Sequence, residues 1–156
     1  MAHSTAIASE HAACSPDEQG QVESFKRFIN VLNGDRVDLL GEVFADEIVF
    51  TDPFHEVRGL ENLKAYYTSM YENLEAIHFE FESDIVGEAA VAVPWRMFYR
   101  HRKIAGGKAL ELDGLSTLVF SHGKVLEQRD YFDAGALLYE HLPAIGWAVR
   151  QIKQRV

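Results

Sequence analysis

The stretch Gly114–Asp133, GLSTLVFSHGKVLEQRDYFD, reads as two long β-strands joined by a tight turn. Its first arm is apolar and β-branched, residues 121–124 supply turn chemistry, and an alternating pattern follows. Side chains alternate between the two faces of a strand, so Asp130 shares its face with Gln128 and Phe132. Aspartate is a poor strand former, and its charge is unfavourable inside a fold without partners. A carboxylate facing the interior here is therefore either a hydrogen-bonded structural group or part of a site.

The rest of the chain predicts helices first and strands afterwards. Apolar residues at helical spacing predict a helix between Ser15-Pro16 and Asn33-Gly34, then helices over about 37–44 and 60–74. A strand at 47–51 ends at Asp52-Pro53, because proline cannot donate to a sheet. Further strands are predicted at 78–86, 89–101, 109–120 and 125–132, and short helices at 135–141 and 145–149. Helices followed by an antiparallel meander predict an α+β fold.

One domain is expected, because 156 residues suffice for a single core and no linker divides the chain. We predict a flexible tail at 1–15, a folded domain at 16–142 and a C-terminal extension at 143–156. The tail lacks the basic start and apolar run of a signal peptide, and no segment has the about 18 apolar residues that span a membrane. The single cysteine, Cys14, rules out an internal disulfide. These features predict a cytoplasmic protein without membrane attachment.

Charge and composition restrict the partners and cofactors. The formal net charge of −9 opposes binding to nucleic acid, because affinity for phosphates comes from positive charge. The seven histidines have no ligand spacing, so no metal is predicted. No glycine-rich loop leads from a strand into a helix, so no nucleotide is predicted either. The sequence therefore predicts a protein without cofactors, whose ten phenylalanines and six tyrosines can line a pocket as well as fill a core.

The order of helix, helix, strand, Asp52-Pro53, loop, helix and a meander ending in RDYFD (129–133) resembles the nuclear-transport-factor-2-like superfamily. This group includes ketosteroid isomerase, limonene-epoxide hydrolase and the SnoaL-like polyketide cyclases. The resemblance covers about 16–142, and the hairpin 123–133 looks closely like that of the hydrolase. It implies a cone-shaped curved antiparallel sheet wrapped around three N-terminal helices, with an internal pocket for a hydrophobic small molecule. It also implies a homodimer packed through the outer face of the sheet.

The resemblance implies three catalytic residues. Asp52 looks like the general base of the isomerase, and Asp130 matches a catalytic carboxylate of the hydrolase and the acid/base of the cyclases. Arg96 matches the hydrolase arginine that links two carboxylates. If Arg96 points inward, an ion pair with Asp130 lowers the pKa of that carboxylate and favours a base. The residues predicted to bind the substrate are Phe28, Phe50, His55, Tyr67, Phe98, Ser116, Leu118 and Phe132.

The match to each relative is incomplete. The oxyanion donors of the isomerase fall on Phe28 and Ser116, and phenylalanine cannot donate, so ketosteroid isomerisation is not expected. The second carboxylate of the hydrolase falls on Phe98, and its water-positioning tyrosine and asparagine fall on Phe50 and Asp52. Strand parity places Asp113 opposite to Ser116, so Asp113 is expected to face away from the pocket.

Two functions stay open from the sequence. One is a cofactor-free enzyme that acts on a hydrophobic small molecule by carboxylate acid/base catalysis, as a cyclase, isomerase or hydrolase. The other is a non-catalytic module on the same fold that binds a small molecule or a protein. Asp52-Pro53 is also a common turn start, in which the aspartate bonds the backbone that follows. Catalysis by two carboxylates predicts that Asp52 and Asp130 face one cavity.

Overall fold

The computed structural model describes residues 16–137, 151, 152 and 154. Helix α1 (Pro16–Val31) is followed by a 3₁₀ helix (Gly34–Glu42), then by α2 (Leu60–Tyr71) and the one-turn helix α3 (Ala134–Leu137). The side chain of Asn33 caps the 3₁₀ helix by accepting a 3.0 Å hydrogen bond from the backbone N–H of Asp35.

Seven strands form one curved sheet. They are β1 (Phe44–Thr51), β2 (Glu56–Arg58), β3 (Leu74–Phe81), β4 (Ile85–Val86), β5 (Val91–His101), β6 (Leu110–Ser121) and β7 (Lys124–Phe132). Their order across the sheet is β2-β1-β7-β6-β5-β3, and β4 pairs with β5. All neighbours are antiparallel except β1 and β7, which run parallel with Thr51 opposite Arg129.

The core lies between the helices and the inner face of the sheet. Helix α1 supplies a stripe at helical spacing, formed by the buried residues Val22, Phe25, Phe28 and Ile29, and buried Leu32 follows the end of the helix. The ring of Phe25 meets that of Phe44 edge to face at 6.2 Å, which joins α1 to the first strand. Leu63 and Tyr67 are the buried residues of α2.

The predicted α+β architecture, with a curved sheet around the helices, is confirmed. The predicted bounds differ at α2, which ends at Tyr71, so β3 begins earlier than expected, at Leu74. The short strands β2 and β4 were not predicted, and the predicted strand 78–86 is divided into β3 and β4. The predicted helix at 145–149 and most of the one at 135–141 lie outside the described residues, as does the tail.

Alternation along the strands decides which side chains face the helices. In β7, Gln128 is buried and Asp130 is half-buried, while Arg129 and Tyr131 are exposed on the other face, as predicted. Of the helices that the structure describes, none is both long and apolar enough to cross a membrane.

Candidate functional site

A cavity of about 300 Å³ opens between α2 and the inner face of the sheet. Its walls are largely apolar and aromatic, with contributions from α1, α2, β1, β3, β5 and β7. Asp130 and Asp52 both belong to the lining. Asp130 directly follows Arg129 of β7, and Asp52 directly follows Thr51 of β1. Arg129 and Thr51 lie opposite each other across the parallel strands β7 and β1. Neighbouring strands lie about 4.8 Å apart, so the sheet brings the two carboxylates to the same end of the cavity.

Asp130 is held by two donors on a single oxygen. Its Oδ1 accepts hydrogen bonds from Ser116 Oγ at 2.7 Å and from Gln128 Nε2 at 2.9 Å. Ser116 Oγ in turn accepts the indole N–H of Trp95 at 2.9 Å. Among the described residues, no hydrogen bond is made to Asp130 Oδ2. One oxygen is thus fixed by the sheet while the other is left for a ligand.

Burial raises the pKa of Asp130 from its ordinary 3.8 to about 6. The hydrogen bonds from Gln128 and Ser116 lower this pKa, but the loss of hydration outweighs them. The charge of Asp52 raises it further. A carboxyl group with such a pKa exchanges its proton near neutral pH.

Asp52 is surrounded by donors from its own loop and from α2. Its Oδ1 accepts the backbone N–H groups of Phe54 and His55, each at 2.7 Å. Its Oδ2 accepts the hydroxyl of Tyr66 at 2.7 Å. The side chain of Asp52 is only 4% exposed. The turn expected at Asp52-Pro53, in which the aspartate side chain bonds the backbone that follows, is therefore present in the structure. This turn holds the carboxylate at the cavity.

His55 is the ring held by that carboxylate. Its Nδ1 lies 3.2 Å from Asp52 Oδ1, and its side chain is 54% exposed at the edge of the cavity. With the proton on Nδ1 to satisfy Asp52, the lone pair of Nε2 is left to accept a proton. The ring also packs edge to face on Tyr66, with centroids 5.3 Å apart.

Two tyrosines complete this end of the cavity. Burial raises the pKa of Tyr66 and of Tyr67 well above the usual value, and the carboxylates Asp52 and Asp130 add to the effect. Both phenols therefore stay neutral in the physiological range and can only share, not release, their protons. Within the described ranges, no set of three His, Cys, Asp or Glu side chains could hold a metal ion.

The family follows from comparison of the sequence. The family model described as a SnoaL-like domain matches residues 25–128, which is well over half of the chain. The chain belongs to the SnoaL-like domain family. The match ends two residues before Asp130. None of the curated proteins compared with this SnoaL-like domain matches it in sequence.

Solved structures support the same fold at low sequence identity. A protein from Jannaschia sp. CCS1, described as a SnoaL-like polyketide cyclase, is 20% identical with a TM-score of 0.71, over 85% of this chain and 97% of that one. A protein from Catenulispora acidiphila DSM 44928 with a ketosteroid-isomerase-like fold is 13% identical with a TM-score of 0.67, over 81% and 95%. An LEH-like epoxide hydrolase from M. tuberculosis is 15% identical with a TM-score of 0.63, over 86% and 96%.

Six of the residues predicted for the site line the cavity of the SnoaL-like domain. They are Phe50, Asp52, His55, Tyr67, Asp130 and Phe132. The structure therefore brings both predicted carboxylates to one cavity. Their catalytic roles stay predictions.

The prediction that Arg96 is a catalytic residue paired with Asp130 is wrong. It lies on the outer face of β5, where its Nε donates to Asp113 Oδ1 at 2.6 Å, and both side chains are exposed. The reason is parity, since Trp95 and Met97 on either side of Arg96 line the cavity. Arg96 therefore does not pair with Asp130 or lower its pKa. The expectation that Asp113 faces away from the pocket is confirmed.

Four predicted binding residues also lie elsewhere. Phe98 shares the outer face with Arg96, opposite Glu111 of β6. Phe28 and Leu118 belong to the hydrophobic core. Ser116 is buried behind Asp130 and contacts the carboxylate rather than the cavity. Its role is to position Asp130.

Sequence reasoning missed several residues that define the cavity. Trp95, Tyr66 and His101 line it, and Gln128 supports Asp130 from the same strand. The alternation of β5 was the available signal, because the strand face opposite to Arg96 holds Trp95, Met97 and Tyr99. No sequence signal pointed to the hydrogen bond from Tyr66 to Asp52.

Proposed function

We propose that this SnoaL-like domain is a cofactor-free enzyme that moves a proton within a hydrophobic small molecule, with Asp130 as the acid/base. The observation that supports it best is a carboxyl group with a pKa of about 6 in the wall of an apolar cavity. Such a group is ionised often enough to accept a proton and is basic enough to hold it. Catalytic carboxyls are commonly tuned in this way by burial.

His55 is the second proton carrier in this proposal. Asp130 removes a proton from a C–H group beside a carbonyl and becomes a neutral acid. The electron pair then moves through the enolate to a second atom of the substrate, which takes the Nε2 proton of the doubly protonated His55 ring while the Nδ1–H keeps its hydrogen bond to Asp52. Solvent then returns a proton to His55 and removes the one on Asp130. Asp52 does not exchange a proton itself, since its oxygens are occupied by loop and tyrosine donors, but it orients the ring.

The position of Arg96 favours cyclase or isomerase chemistry over epoxide hydrolysis. The hydrolase arrangement needs an arginine between two carboxylates, and here Arg96 bonds Asp113 on the outer face. Proton transfer between two substrate atoms needs only an acid/base and a proton donor at one cavity. The volume of about 300 Å³ suits a small molecule of two or three rings. A cytoplasmic location and the homodimer implied by the resemblance are part of the same proposal.

The test is hydrogen exchange in a simple ketone. 2-Tetralone, a fused two-ring ketone with acidic C–H groups, is incubated with the protein in D₂O and the loss of its α-proton signals is followed by NMR. We expect exchange above the buffer rate, rising with pH as Asp130 ionises near about pH 6. Asp130→Asn should reduce the protein-dependent rate by at least about 100-fold. Asp113→Asn is the matched control, because that carboxylate lies on the outer face.

A calorimetric titration of the same ketone separates catalysis from binding alone. If 2-tetralone binds to wild type and to Asp130→Asn but exchanges at the buffer rate with both, the protein is a binding module and the proposal is wrong. His55→Gln tests the second carrier. We expect it to bind the ketone and to slow exchange about 10-fold or more, since general acid–base groups contribute at least that much.

A further inference from the structure

The cavity follows the C-terminal half of the inward face of β5. Trp95, Met97, Tyr99 and His101 alternate along that strand, and all four belong to the lining. Trp95 and His101 are six residue steps apart on the strand, which is about 20 Å of chain at about 3.3 Å per residue. Trp95 lies at the Asp130 end, because its indole bonds the serine that supports Asp130. His101 therefore lies at the far end.

The contacts of His101 decide which of its nitrogens can meet a ligand. Its Nδ1 accepts the backbone N–H of Lys103 at 3.2 Å, so Nδ1 carries no proton. Burial and the charge of Lys103 lower the pKa of His101, which favours the neutral ring. A neutral ring with a bare Nδ1 carries its proton on Nε2. In the part of the chain that the structure describes, Nε2 has no hydrogen-bond partner, so His101 offers one unused N–H donor.

Asn73 lies beside His101 at this end. The backbone oxygen of Asn73 accepts the N–H of Arg102 at 3.0 Å, and Leu74 is paired with His101 across β3 and β5. These bonds fix the turn after α2 against the end of β5. Asn73 lines the cavity, and no described residue bonds its side-chain amide. Between the two polar ends the walls are apolar, with Ile77, Phe79 and Met97.

We propose that His101 and Asn73 form a second, uncharged polar subsite, which takes a carbonyl or phenol oxygen at the far end of an elongated aromatic substrate. His101 Nε2–H donates to that oxygen, and the Asn73 amide is a second partner. The apolar middle of the cavity holds the rings. The substrate is thus a flat molecule with its acidic C–H at one end and an oxygen acceptor at the other. The assignment of the reacting end rests on the proposed function, whereas the contact with His101 does not.

Two probes of the same shape test the subsite. 4-Acetylbiphenyl has a terminal carbonyl oxygen, and 4-ethylbiphenyl has the same rings without it. Binding is measured by calorimetry at about pH 8, where Asp130 is ionised and repels a carbonyl oxygen. With wild type we expect the ketone to bind about 5-fold to 10-fold more tightly, the usual contribution of one net hydrogen bond.

Two substitutions of His101 separate its two nitrogens. In His101→Asn the amide oxygen replaces Nδ1 as acceptor for Lys103, so the turn is kept while the distal donor is lost. In His101→Gln the amide N–H reaches the position of Nε2, so the donor is kept. We expect the preference for the ketone to vanish in His101→Asn and to remain in His101→Gln. Asn73→Ala should weaken the preference without abolishing it.

Any outcome other than those expected contradicts either the subsite or the proposed function. If both probes bind with equal affinity to wild type, or if His101→Asn keeps the preference, the subsite is wrong. If neither probe binds to wild type, the elongated aromatic substrate and its distal subsite are wrong, and the titration with 2-tetralone decides the proposed function separately. If the ketone is preferred through His101 but 2-tetralone exchanges only at the buffer rate, the subsite stands and the proposed catalysis is wrong.

Discussion

Ser116 Oγ lies 2.7 Å from Asp130 Oδ1, directly across the β6–β7 pair, and donates its proton to that oxygen. The same hydroxyl accepts the indole N–H of Trp95. The chain of donors from Trp95 through Ser116 to Asp130 polarises the hydroxyl toward the carboxylate. Ser116 thus favours the ionised form of Asp130 against the opposing effect of burial.

Ser116→Ala should raise the pKa of Asp130 above about 6. The variant removes a hydrogen bond to a charged group, worth about 1.5 kcal/mol or more, which corresponds to about one pKa unit. The midpoint of the pH profile of 2-tetralone exchange should move upward by that amount. Thr117→Ala is the control on the opposite face of β6, where the hydroxyl donates to the backbone oxygen of Arg129 at 3.5 Å and does not bond Asp130. An unchanged midpoint in Ser116→Ala contradicts the role given to Ser116.

Asp130→Asn should make the protein more stable at about pH 8 than wild type. The pKa of Asp130 is raised from 3.8 to about 6 on folding, so the free energy of unfolding falls as pH rises through this window. Above about pH 6 the loss is complete and amounts to about 3 kcal/mol, at about 1.4 kcal/mol per pKa unit. The amide oxygen of asparagine can still accept from Ser116 and Gln128. Urea unfolding at about pH 4 and pH 8 measures the difference.

Asp113→Asn provides a control in which the change in stability at about pH 8 is expected to have the opposite sign. The hydrogen bond and the charge of Arg96 lower the pKa of Asp113, so this carboxylate stabilises the folded state at neutral pH and its contribution is lost in acid. Asp113→Asn should therefore lower stability slightly at about pH 8, because the pair is exposed to solvent. If Asp130→Asn also lowers stability at both pH values, Asp130 is a structural group.

Asp52→Asn should destabilise the fold by about 1 to 3 kcal/mol, because the carboxylate bonds two backbone N–H groups and the hydroxyl of Tyr66. Tyr66→Phe removes only one of these bonds and should cost about 1 kcal/mol. Asp46→Asn is the control, because Asp46 is an exposed carboxylate of β1, the strand that leads to Asp52, and should change stability by less than about 0.5 kcal/mol. Equal losses in Asp46→Asn and Asp52→Asn contradict the contacts described for Asp52.

Arg96→Ala should leave ligand binding and exchange unchanged. The guanidinium lies on the outer face and bonds Asp113 in an exposed, salt-screened pair. We expect a small change in thermal midpoint that disappears at high salt, and the same affinity for 2-tetralone as wild type. A large loss of exchange activity in Arg96→Ala means that Arg96 reaches the site.

Gly114→Ala should disturb the site through Trp95. A Cβ added at Gly114 overlaps the indole ring, which lies directly on the backbone of β6 at this position. We expect the free energy of unfolding to fall by about 1 to 3 kcal/mol. The pH midpoint of exchange should also move upward, because the displaced indole no longer donates its hydrogen bond to Ser116, which supports Asp130. Gly20→Ala, at a helical position with open space, should instead add about 0.5 to 1 kcal/mol. Thermal or urea unfolding of both variants checks the two signs.

Local patterns predicted most of the fold and about half of the site. The alternation of β7 placed Asp130 and Phe132 on the inner face, and the apolar stripe of α2 included Tyr67, because both periods are properties of neighbouring residues. The prediction for Arg96 was wrong because it came from the resemblance, whereas the alternation of β5 already placed Arg96 on the face opposite to Trp95. Contacts between distant residues, such as Tyr66 with Asp52 or Gly114 with Trp95, leave no periodic signal and need the three-dimensional arrangement.

The parallel pairing of β1 with β7 also determines when the site can exist during folding. Asp52 and Asp130 are far apart along the chain, and they become neighbours only once the last strand of the sheet docks beside the first. Closing so long a loop is entropically unfavourable, so this pairing is expected to form after the local hairpin β6–β7. A partly folded molecule thus has no proton-transfer site, and exchange activity should return on refolding only as the last and first strands join.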